Sequence, residues 1–165
     1  MNHQFAYHYL CRLTGTCYSS EECQGRGNSQ ADGACARGFG VCCIQYLTAC
    51  GGDVDKNNTH VQSPEYPSSY KTATTCTYNL IKTNLEICFF RLDFVNFNID
   101  GPSVTADPQT SWDCNADVMT FTTPSSNPPP SICGYNNGQH LYMDASVGLT
   151  TNPSMSITTT GNSEN

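Results

Sequence analysis

From about Cys50 onward, apolar side chains recur at every second position in short bursts, and polar turn residues break the bursts apart. That alternation turns one side of a strand to a core and the other to water. It predicts strands over Thr59–Gln62, Thr75–Ile81, Glu86–Phe94, Val118–Thr122, His140–Asp144 and Ser154–Thr159. In the strongest, Cys88, Phe90, Leu92 and Phe94 share one face, which would bury the Cys88 thiol. The apolar phase then slips by one residue and continues at Val95, Phe97 and Ile99, predicting a bulge or bend near Phe94. Breakers separate the runs: Gly51-Gly52, Pro64 with Pro67, Gly101-Pro102, Pro128-Pro129-Pro130 and Asn136-Asn137-Gly138. Helical periodicity is weak throughout. Short strands between turn signals predict an all-β sandwich.

The first 48 residues have a different texture. Cys11 to Cys43 is rich in Gly and Cys, with almost no aliphatic residues, so it cannot build an apolar core and must be held by bridges. The boundary predicted from this change sets a small Cys-rich module, residues 1–48, before a β-domain, residues 49–165. The module's spacing is C-x5-C-x5-C-x11-C-x6-C-C, without a Cys-x2-Cys pair or an internal His, which argues against zinc. Eleven cysteines in 165 residues place the protein in an oxidising, extracellular compartment. The odd count leaves at least one thiol without an intramolecular partner.

Composition narrows the partners. Only 13% of residues are charged, while Thr, Ser and Asn make up 49 of 165, a β-protein surface. The net charge is −7, and its seven basic residues never form a stripe, so neither nucleic acid nor an anionic membrane surface is an expected partner. No apolar run is long enough to insert in a membrane. Met1–Leu10 lacks the basic and apolar regions of a secretory leader, which conflicts with the cysteines; the expectation is that a leader is missing from this sequence, or that the chain is a fragment or has a wrongly assigned start.

The residues from Cys50 onward resemble the CUB domain, an extracellular β-sandwich. The resemblance rests on Cys50-Gly51-Gly52, the S-P-x-Y-P-x-x-Y string at Ser63–Tyr70, and Cys76-Thr77-Tyr78. It continues through Phe90–Asp100, the C-x-x-D of Cys114–Asp117, and Ile132-Cys133-Gly134. It implies bridges Cys50–Cys76 and Cys114–Cys133, with Cys88 unpaired. Each would close a loop worth about 3 kcal/mol in the chain-entropy model. The N-terminal cysteines are similar to the arthropod clip module, which implies Cys11–Cys42, Cys17–Cys35 and Cys23–Cys43 among the fifteen pairings open to six cysteines. The family's final strand has no counterpart after Ser154–Thr159, so the domain is expected to lack about one strand.

Many CUB domains bind a calcium ion, and the matching positions here are Tyr70, Asp100 and Asp117. A hard cation needs several oxygens, and the loop after the last strand, Gly161-Asn162-Ser163-Glu164, carries no Asp. The plain alternative is that Asp100 and Asp117 cap turns. Asn57-Asn58-Thr59 is the chain's one glycosylation sequon, with Asn57 the acceptor. His3, His8, His60 and His140 are scattered, and neither H-E-x-x-H nor G-D-S-G occurs. The expected function is therefore a secreted, non-enzymatic module that binds an extracellular protein ligand. The rival readings are a regulatory fragment of a clip-bearing protease or zymogen, and a structural matrix component.

Overall fold

The computed structural model describes residues 13–103, 112–125, 127–145, 148 and 151–161. In chain order the elements are β1 (Thr16–Tyr18), α1 (Ser20–Gln24), β2 (Ser29–Cys35), β3 (Gly40–Leu47), β4 (Gly52–Val54), β5 (Thr59–Val61), β6 (Thr74–Leu80), β7 (Phe89–Asp93), β8 (Val118–Thr122), β9 (His140–Asp144) and β10 (Ser154–Thr159). They fall into two compact units, Met1–Thr48 with Lys56–Gln62, and Ala49–Asp55 with Ser63–Asn165.

In the first unit β3 is central, antiparallel to β1 and β2 and parallel to β5. Thr59–Val61, expected in the sandwich, thus pairs with β3 instead. Gln45 lies opposite Thr59, Gln62 N–H donates to the Leu47 carbonyl, and His60 Nε2 lies 2.8 Å from the Thr14 carbonyl oxygen. Local alternation names a strand but not its neighbour. Among the described residues the core consists of half-cystines around one aliphatic side chain: Cys23, Cys35, Cys42, Cys43 and Ile44 are all buried. Disulfides join Cys17–Cys35 and Cys23–Cys43. Cys42 is disulfide-bonded; Cys11, its expected partner, lies outside the described residues. The five-residue α1 starts at a capping box: the Ser19 hydroxyl accepts from Glu22 N–H, and the Glu22 carboxylate accepts from Ser19 N–H.

The second unit is an all-β sandwich. One sheet runs β4-β6-β10-β8, with β4 parallel to β6 and the other pairs antiparallel; the other sheet is the antiparallel pair β7-β9. Strand β6 shows why these residues make a sheet. Cys76, Tyr78 and Leu80 point inward and are nearly fully buried, alongside Met119, Phe121 and Met155. Its outward side chains bond across the sheet. Thr75 and Thr158 hydroxyls lie 2.9 Å apart, as do those of Thr77 and Ser156, which are pairs set by the β6-β10 register. The abundant Thr and Ser are in this way a working part of the outer face. Cys50–Cys76 and Cys114–Cys133 are bridged.

Two expectations about β7 need correction. The strand begins at Phe89, not Glu86, because Asn84 turns the chain: its carbonyl accepts from Ile87 N–H and its side chain from Glu86 N–H. Cys88 therefore precedes the strand and is an exposed free thiol rather than a buried one. The phase slip at Phe94 is the bend of the two expected forms: the strand ends at Asp93 and the chain bends at Val95 and Asn96. Asn137 Oδ1 accepts the Phe97 N–H at 2.6 Å, which draws Phe97 into the core while Val95 stays exposed.

Candidate functional site

Among the described residues Asp117 is the most deeply placed charged side chain of the sandwich, with no exposed surface. Residue Cys114 is tied to Cys133, and three residues later the chain turns into β8. This delivers the Asp117 carboxylate beneath the end of β10. Its Oδ1 accepts from Thr160 N–H at 2.8 Å and from the Thr160 hydroxyl at 3.1 Å, and its Oδ2 accepts from Asp100 N–H at 3.4 Å. Burying a carboxylate is costly unless hydrogen bonds replace its water, and donors from two loops do so here. The structure thus brings Asp100 and Asp117 together through the backbone of one and the side chain of the other. Tyr70 is half-buried; the nearby Tyr78 hydroxyl donates to the Ala49 carbonyl, and burial pushes its pKa up.

Calcium takes six to eight oxygens. Among the described residues no group of three or more His, Cys, Asp or Glu side chains comes together, and the Asp117 oxygens are already engaged by amide and hydroxyl donors. Glu164 lies outside the described residues. Asp117 acts as a clasp between the Asp100 loop and the end of β10.

A different surface carries exposed, ordered chemistry. On the outer face of β7-β9, Arg91 lies opposite Tyr142 and Asp93 opposite His140. Arg91 Nη2 donates to Asp93 Oδ1 at 2.7 Å and Nε donates to the same carboxylate, a fork that raises the arginine pKa further. The guanidinium also stands 5.8 Å from the Tyr142 ring, and the His140 ring meets that ring edge-on at 5.7 Å. Phe89 and Tyr142 remain 64% and 55% exposed. Period-two reading locates these residues on an outward face, but not that the pairing fixes their rings against one another. Asn57 is exposed in the turn before β5, and Thr59 Oγ1 donates to the Lys56 carbonyl.

A two-sheet sandwich stapled by Cys50–Cys76 and Cys114–Cys133 defines the class: a disulfide-bonded all-β module. A family profile for the CUB domain matches residues 50–158, and the chain belongs to that family. It is 29% identical over 94 residues to bone morphogenetic protein 1 of Xenopus laevis, covering 55% of this chain and 12% of that protein. It is 27% identical over 99 residues to human tolloid-like protein 1, covering 58% of this chain and 9% of the relative. The chain thus spans a small fraction of the length of these relatives. No solved structure matches it. Among the described residues, no helix is long and apolar enough to cross a membrane.

Proposed function

We propose that the protein is a secreted, non-enzymatic CUB-domain module whose ligand is an extracellular protein, bound on the outer face of β7-β9. The observation that carries this reading is the pair of exposed rings, Phe89 and Tyr142, flanking the Arg91–Asp93 fork. Aromatic and arginine side chains held in place lose little entropy on docking and dominate binding energy at protein interfaces. The disulfide-bonded units support an extracellular setting, and Asn57 is the proposed glycan acceptor. Calcium has no step in this reading.

The test is site-specific photocrosslinking in extracellular fluid of the producing tissue. A photoreactive phenylalanine analogue at Phe89 or Tyr142 should give an adduct with a second protein species. The same analogue at Thr77, on the outer side of the opposite sheet, should not. Equal adducts from all three positions, or none from Phe89 and Tyr142, would refute the assignment of this face.

A further inference from the structure

The outer edge of β9 is self-complementary, and we infer that it pairs two copies of the chain. In β7-β9, Ala145 N–H donates to the Cys88 carbonyl and Phe94 N–H donates to the Gln139 carbonyl. With the register of the pair, this directs the backbone groups of Gln139, Leu141, Met143 and Ala145 toward β7. The N–H and C=O groups of His140 and Tyr142 point the other way. Among the described residues β9 has no second strand neighbour, and the strand carries neither Lys nor Pro, the residues that usually block an edge.

A two-fold axis through Tyr142 sets the sequence His-Leu-Tyr-Met-Asp against itself. Tyr142 then exchanges both backbone hydrogen bonds with Tyr142 of the second copy, and the two rings meet. His140 of each copy faces Asp144 of the other, an imidazole N–H donor opposite a carboxylate acceptor. Leu141 falls opposite Met143, in line with the existing inner face. The result is a continuous β7-β9-β9-β7 sheet. The other open edge of this pair does not have the property. A two-fold axis through Arg91 of β7 would set arginine against arginine and Phe89 against Asp93.

Charge sets the strength. The second unit holds eleven of the fourteen acidic residues and three of the seven basic ones, so two copies repel. In about 0.15 M salt this repulsion decays over about 8 Å. A five-residue strand buries a small interface, and a dissociation constant between about 10 µM and 1 mM follows.

Sedimentation equilibrium on the full chain tests the pairing, with Cys88→Ser in every sample to prevent thiol-linked dimers. The parent protein should show a monomer–dimer equilibrium. His140→Asp sets two carboxylates face to face and should weaken it about tenfold. Asp144→Lys sets an ammonium against the imidazole and should do the same. An equimolar mixture of the two variants restores opposite partners at both contacts and should regain dimer of mixed composition. Tyr142→Pro removes an outward N–H and leaves the bonds to β7 in place, so it should abolish association. The inference is overturned by a parent protein that stays monomeric up to about 1 mM, by a dimer insensitive to these changes, or by a mixture that stays as weak as its components.

Discussion

Replacing Asp117 by Ala should open the sandwich at the end of β10. The side chain is fully buried, and its loss strands the Thr160 N–H, the Thr160 hydroxyl and the Asp100 N–H. Hydrogen bonds to a charged acceptor contribute about 1.5 to 3 kcal/mol each. The two from Thr160 are well formed, whereas the 3.4 Å contact from Asp100 is weak. Against this, the unfavourable burial of one charge disappears. The balance is a loss of about 3 kcal/mol, or about 10 °C in melting temperature. Asp117→Asn keeps an acceptor for Thr160 and should lose about 1 kcal/mol. Thermal unfolding by far-ultraviolet circular dichroism gives the global effect, and hydrogen exchange at the Thr160 and Asp100 amides gives the local one. Both should be the same in calcium and in chelator, because the partners of Asp117 are amide and hydroxyl donors. A melting temperature within about 2 °C of the parent, with unchanged exchange at both amides, would refute the clasp.

Two further outcomes concern the first unit. The Ser19 hydroxyl and amide hold the Glu22 carboxyl below its ordinary pKa. A group depressed on folding contributes stability that is present above its unfolded pKa and is lost as pH falls through the folded one; Ser19→Ala should move the Glu22 carbon-13 titration upward, and an unmoved titration would break the assignment. A methyl group at Gly40 would meet Cys17 Sγ at 2.8 Å, the Tyr18 carbonyl oxygen at 2.9 Å and Cys35 Sγ at 3.0 Å, so Gly40→Ala should cost about 2 kcal/mol or more. Gly25→Ala, whose nearest contact is an ordinary 3.5 Å, should be nearly neutral, and equal melting of the two variants would contradict the packing around Cys17–Cys35.

The strands that alternate most regularly are the ones the sequence places best. β8, β9 and β10 run over the residues that alternation predicts, and β6 is displaced by one residue. Each has one buried face, so a one-residue error would turn its whole apolar set to water. What the sequence hides is non-local. Phe97 is pulled inward by a side chain forty residues away, at Asn137. Thr59–Val61 reads as a strand, but its pairing with Gln45–Leu47 depends on a module with no periodicity of its own. The C-x-x-D spacing draws attention to Asp117, yet nothing near it in sequence announces Thr160. The Arg91–Tyr142–His140 arrangement depends likewise on register across fifty residues.

The loan of Lys56–Gln62 to the first unit means that the polypeptide passes between the two units at three points, near Ala49, Lys56 and Ser63. No single cut in the chain can therefore release either unit whole. A fragment ending at Thr48 lacks β5 and leaves one side of β3 bare. A fragment beginning at Ala49 carries those same residues without the strand that pairs them. A protease nick between Asp53 and Lys56, by contrast, would leave β5 attached to the sandwich by covalent bonds and to β3 by hydrogen bonds. The two chains would also stay joined by the Cys50–Cys76 disulfide, as a two-chain protein that separates only when that bridge is reduced and β5 lets go of β3.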